Sequence, residues 1–178
     1  YPNGDAIPYI TETLDWSELL DSNTDDAFCY YDNMDDLLYY GALYNYAAAI
    51  GDNWTRDNKN GQGVCPDGWH LPTDTEWLDL TIYLGGASVA GRKLKMTGTL
   101  LWDSPNDATN ESGFTAVPGG QRNTDGLFSG MDSWAWYWTA NEYDATEAYD
   151  RSINNSNAGF IKGDYLKSRG LAVRCIQD

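Results

Sequence analysis

The stretch Leu71-Pro72-Thr73-Asp74-Thr75-Glu76-Trp77 commits this chain to a helix start. Thr73 is a good N-cap, and Glu76 stands where its carboxylate can return to the cap's amide. Trp77, Leu80, Thr81 and Leu84 follow at helical spacing, and Gly85-Gly86 supply a left-handed stop. The pattern predicts a helix over 73–84. Leu43–Ile50 reads as another, with Leu43, Tyr46, Ala47 and Ile50 on one face. Thr13–Leu20 suits a short helical stretch, Phe28–Tyr31 a short strand, and 32–36 and 52–63 polar loops. After Gly86 the period changes. Lys93–Met96, Phe114–Pro118, Gly126–Phe128, Trp136–Ala140, Glu147–Ile153, Ala158–Ile161 and Gly170–Ile176 are strand-length runs between turn formers. Helices early and strands late indicate an α+β fold, with helices on one antiparallel sheet. No repeat or linker divides it, so residues 1–178 read as one domain, with 1–28 an irregular opening segment.

Charge excludes several partners. With 11 Lys and Arg against 27 Asp and Glu the net charge is −16, so no basic stripe exists to release counterions from nucleic acid. Anionic membrane surfaces are disfavoured for the same reason. The longest apolar candidate, Tyr39–Ile50, contains Gly41 and Asn45 and is too short to insert into a membrane. The sequence opens at Tyr1 with neither basic nor apolar leader, so any signal segment is expected to lie outside it. Eight Trp and 13 Tyr outnumber four Phe, a bias toward rings with a polar tip that suits half-exposed binding surfaces.

Catalytic chemistry finds little footing. His70 is the sole histidine; it could pair with Asp74 or Glu76, but at a helix entrance a backbone-bonded structural ring is the ordinary outcome. Among 27 carboxylates no spacing singles out an acid and a nucleophile. Cys29, Cys65 and Cys175 allow at most one intrachain disulfide, and their spacing is unlike a thiolate metal motif. Asp103, Asn106 and Asp107 in one loop, with Asp125 further on, offer the hard oxygen ligands of a structural calcium site.

Five stretches together resemble one family. They are Tyr40-Gly41-Ala42-Leu43-Tyr44-Asn45-Tyr46, Cys65-Pro66-Asp67-Gly68-Trp69-His70 running into the capping box, Gly113-Phe114-Thr115-Ala116-Val117-Pro118-Gly119-Gly120-Gln121-Arg122, Tyr137-Trp138-Thr139-Ala140-Asn141-Glu142, and Val173-Arg174-Cys175. They resemble the Fibrobacter succinogenes major paralogous domain, and more distantly C-type-lectin-like folds including formylglycine-generating enzymes. The resemblance implies two helices on a small twisted sheet with long irregular loops, an extracellular or cell-surface location, and a Cys65–Cys175 disulfide. The family's usual opening strand segment is not seen in this sequence.

It also implies a ligand-binding face formed by Gln121, Arg122, Asn123, Trp134, Trp136, Asn141, Tyr143, Asn154, Asn155, Asn157, Phe160, Lys162, Asp164 and Tyr165. Tyr, Trp and Asn there follow the logic of antibody loops. Alternation along a strand sets Tyr137 inward against the second helix and Trp136 with Trp138 on the other face. Glu142 is expected to pair with Arg151 or Arg174. The expected function is non-catalytic binding of a glycan or a surface protein. The alternative is a subunit of a surface assembly, joined to copies of itself by strand addition.

Overall fold

The computed structural model describes residues 1–51 and 61–178; most of the polar loop expected over 52–63 lies outside them. Short elements open the chain: α1 (Thr13–Ser17), β1 (Phe28–Tyr30), β2 (Ala42–Tyr44) and α2 (Tyr46–Ile50). They are followed by β3 (Trp69–His70), α3 (Asp74–Tyr83) and α4 (Ala87–Leu94). Then come β4 (Gly119–Arg122), β5 (Phe128–Met131), β6 (Trp134–Glu142), β7 (Glu147–Asn154), β8 (Ile161–Leu166) and β9 (Ile176–Gln177). Five strands form a sheet in the order β5-β4-β6-β7-β8, while β1 pairs with β2 and β3 with β9. The fold is α+β, but β4 meets β6 in parallel through Gly120 and Ala135, so the sheet is mixed rather than antiparallel throughout.

The capping box forms as its residues require. Thr73 Oγ1 accepts from the Glu76 amide at 3.3 Å, and Glu76 Oε2 accepts from the Thr73 amide at 2.7 Å. The sheet packs on both faces. On one, Tyr137 meets Trp77 of α3 with ring centroids 6.0 Å apart, within a cluster holding Leu94, Trp102 and Phe160. On the other, Trp136 and Trp138 join Tyr46 and Ile50 of α2 and Leu171. Both halves of the expected alternation hold, and both faces are buried.

Local differences have physical causes. Leu43 lies in β2, and α2 begins only after Asn45, whose side chain accepts from the Ala48 amide at 3.1 Å. Lys93–Met96 is not a strand; it is the end of α4 and a single bridge from Lys95 to Ala116. Gly91 disguised that helix, since glycine weakens a helix interior. Its reason is contact: a Cβ at Gly91 would lie 2.0 Å from the Gly159 carbonyl oxygen. Gly91→Ala is therefore expected to cost about 1–3 kcal/mol despite alanine's better helix propensity, read as a lower urea midpoint. The run 158–161 is mostly irregular, with the strand starting at Ile161, and 114–118 contributes only the bridge at Ala116.

The disulfide joins Cys65 to Cys175, with Cα atoms 5.7 Å apart. Cys29 is free and buried, and burial pushes its thiol up to about 11. Glu142 binds Lys167 at 2.5 Å, and the two arginines expected for it, Arg151 and Arg174, have other partners. Arg151 is instead bound to Asp74, and the Arg174 guanidinium lies over the Phe114 ring at 4.8 Å.

Candidate binding face

The face of the β4-β6-β7-β8 sheet that packs on α2 also gathers rings, amides and ions, and Trp134 and Tyr165 remain partly exposed at its margin. Trp134 and Trp136 stack with centroids 5.0 Å apart and planes 10° from parallel. They lie over Gly130, where a Cβ would come within 2.6 Å of the Trp136 ring. Next to them, Gln121 stands across β4–β5 from Ser129. Arg169 Nη1 donates to Gln121 Oε1 at 3.0 Å and Asn123 Oδ1 at 2.9 Å, with its guanidinium 4.3 Å over the Tyr165 ring. Across the sheet, Ser152 opposes Trp136, and Asp150 lies between Trp138 and Gly163.

Asp150 is the unusual member. It is 1% exposed, and its Oδ1 accepts no hydrogen bond among the described residues. A Cβ at position 163 would sit 2.5 Å from that oxygen, so Gly163 leaves the carboxyl its room. Burial pushes the Asp150 pKa up to about 7; Asp164 adds to the rise, and Arg151 and Arg169 oppose it. The Nε of Arg169 is likewise buried with no hydrogen-bond partner among the described residues. Unsatisfied buried polar groups cost stability.

A family model, the Fibrobacter succinogenes major domain, matches residues 1–177. The chain belongs to that family. No curated protein and no solved structure matches it. In this bacterial family domain the residues expected to form one surface divide among several tasks. Gln121, Asn123, Trp134, Trp136 and Tyr165 meet on the face described above, although Trp136 is 6% exposed and the stack is reached through Trp134. Arg122 is instead fully buried, donating to the Ile10, Thr11 and Glu12 carbonyls and lying over Trp16 at 4.5 Å. Phe160 is core, packed on Trp77.

Asn154 is buried, and its Oδ1 accepts from the amides of Ser156 and Asn157, shaping a turn. The carbonyls of Asn154, Asn155 and Asn157 surround the Lys95 ammonium. Asn141, Tyr143 and Lys162 fall on the opposite sheet face, at the start of α3. There Asn141 accepts from the Asp74 amide at 2.7 Å, Lys162 reaches Asp74 at 2.8 Å, and Tyr143 packs edge-on to Tyr149. Asp164 is exposed on β8.

The four oxygen-bearing residues considered for calcium are spent separately. Asp107 binds the Lys95 ammonium at 2.7 Å, so an internal cation already occupies that carboxylate. Asp103 accepts from Ser133, Asn106 donates to the Met96 and Gly98 carbonyls, and Asp125 accepts from the Leu127 amide. Among the described residues no three His, Cys, Asp or Glu converge as metal ligands.

His70 is bound by side chains, not by backbone: Nε2 to Glu76 at 2.9 Å and Nδ1 to Asp178 at 2.7 Å. Burial would lower its pKa, but the two carboxylates outweigh burial and the net shift is upward. The ring thus ties the C-terminal residue to the capping box. Sequence reasoning missed Asp150, Ser152 and Arg169; the alternation along β7 put Asp150 and Ser152 beside the tryptophans and was the available signal.

Proposed function

We propose that this domain is a non-catalytic, extracellular binding module of C-type-lectin-like architecture that holds a glycan against the Trp134–Trp136 face. The carrying observation is the parallel indole stack beside the Gln121, Asn123 and Arg169 array. A sugar ring offers an apolar C–H face for an indole and hydroxyls for amides and a guanidinium. That pairing of surfaces is the ordinary composition of a small-molecule site, apolar walls with a few placed polar groups. A disulfide favours an oxidising compartment. Among the described residues no helix is long and apolar enough to cross a membrane.

A glycan array followed by titration calorimetry tests this reading. Trp134→Ala is expected to weaken the best glycan at least tenfold, with little change in unfolding temperature, because Trp134 is the half-exposed member of the stack. Affinity unchanged by that substitution, or an array without a hit, would remove the glycan reading. A surface protein bound through the same residues would replace it.

A further inference from the structure

The C-terminal stretch 171–177 has one edge paired and the other bare. Leu171 and Tyr44 exchange both main-chain hydrogen bonds, at 2.8 and 2.9 Å. Ala172 turns the other way, donating to the Trp136 carbonyl and accepting from the Trp138 amide. Alternation then points the main-chain groups of Val173 and Cys175 back to the Leu171 side. There the pairing stops: Tyr44 bridges Leu171, but Ala42, still in β2 and paired with Tyr30, forms no bridge to Val173. Among the described residues no main-chain hydrogen bond reaches Val173 or Cys175.

Two cavities lie along that bare edge. One of about 280 Å³ opens between Ala42 and Val173, bordered by Val117, Tyr137 and Arg174. Another of about 220 Å³ is lined by Trp77, Leu80 and Phe114 beside Arg174, Cys175 and Ile176. Tyr137, on the wall of the first, is 2% exposed, and its hydroxyl faces the Arg174 side chain, which opposes the upward push that burial gives its pKa. Arg174 stands at the junction. In a chain of net charge −16 its guanidinium makes no salt bridge among the described residues; it lies over the Phe114 ring, faces the Tyr137 hydroxyl and donates to the Thr115 carbonyl at 3.4 Å. Exposed Leu38 and Tyr39 rim the entrance.

We propose that this edge takes an extended peptide segment of another protein by β-strand addition, with an apolar side chain in each cavity and an Asp or Glu against Arg174. Side chains two residues apart on an added strand are about 7 Å apart on one face, which suits neighbouring cavities. The main-chain groups of Val173 and Cys175 supply affinity, and the single cation selects for acid. This is a separate surface from the Trp134–Trp136 face, so either proposal can fail alone.

The test is hydrogen exchange combined with selection from a randomised nonapeptide phage library. In the free protein the Val173 and Cys175 amides are expected to exchange far faster than the Ala172 amide. Selected peptides should carry an acidic residue among alternating apolar ones, and the synthetic peptide should slow exchange at Val173 and Cys175 at least tenfold. Arg174→Gln and, independently, Val173→Pro should each weaken that peptide at least tenfold while the unfolding temperature holds. Slow exchange at both amides in the free protein, or protection that grows with protein concentration and so reports a second copy, would overturn the proposal. So would peptides that protect other residues, a library that yields none, or affinity indifferent to both substitutions.

Discussion

Cys175→Ser is expected to lower the unfolding free energy by about 4–5 kcal/mol, because the Cys65–Cys175 bond closes a loop of 110 residues. A loop of that length removes a large share of the unfolded chain's freedom, and both of the bond's ends lie near the β3–β9 pair. Cys65 precedes the α3 entrance, and Cys175 adjoins β9, which itself pairs with β3. Urea melts of the oxidised wild type, the reduced wild type and the variant give the answer. The reduced wild type and the variant should coincide, both well below the oxidised protein. A gap under about 1 kcal/mol would mean that the β3–β9 pair, the His70–Asp178 bond and the Leu71 core already hold the terminus without the bond.

What the sequence made legible was whatever depends on neighbouring residues. The capping box needs only Thr73 and Glu76 at fixed spacing, and the α3 start appears where those residues put it. Strands β6 and β7 alternate strongly enough for Tyr137 to be assigned to the helix side. The α4 helix was hidden because Gly91 is explained only by the Gly159 carbonyl, 68 residues further along the chain. Arg122 was assigned to the surface for a similar reason: its partners are carbonyls at residues 10–12, more than a hundred positions away. The candidate face was partly legible, since Gln121, Asn123, Trp134, Trp136 and Tyr165 do converge. Yet polar residues in alternating strands look alike whether they meet solvent or a recess, so Asn154 and Asp150 could not be told apart by pattern alone.

Asp150→Asn is expected to abolish a pH dependence of stability worth on the order of 4 kcal/mol between pH 4 and pH 8. In the unfolded chain the carboxyl titrates near its ordinary value, 3.8, whereas in the fold burial holds it protonated up to about 7. Below pH 4 both states carry the proton and the group contributes no pH dependence. Between pH 4 and 7 the unfolded chain has released its proton and the folded protein has not, so stability falls as pH rises. Above pH 7 the folded carboxyl ionises too, and the loss stays constant. The asparagine variant titrates in neither state, so its profile should lack this slope, and its advantage over wild type should grow from pH 4 to pH 8. Urea midpoints at four pH values decide it, and parallel profiles would show that Asp150 is solvated. A carboxyl that destabilises its own fold at neutral pH, near Arg169, whose Nε has no hydrogen-bond partner among the described residues, is what the proposed binding role of this face would account for. Protonated, the carboxyl can donate a hydrogen bond; ionised, its oxygens only accept. Any ligand that reaches it should therefore bind with an affinity that changes across pH 7 in the wild type and not in Asp150→Asn.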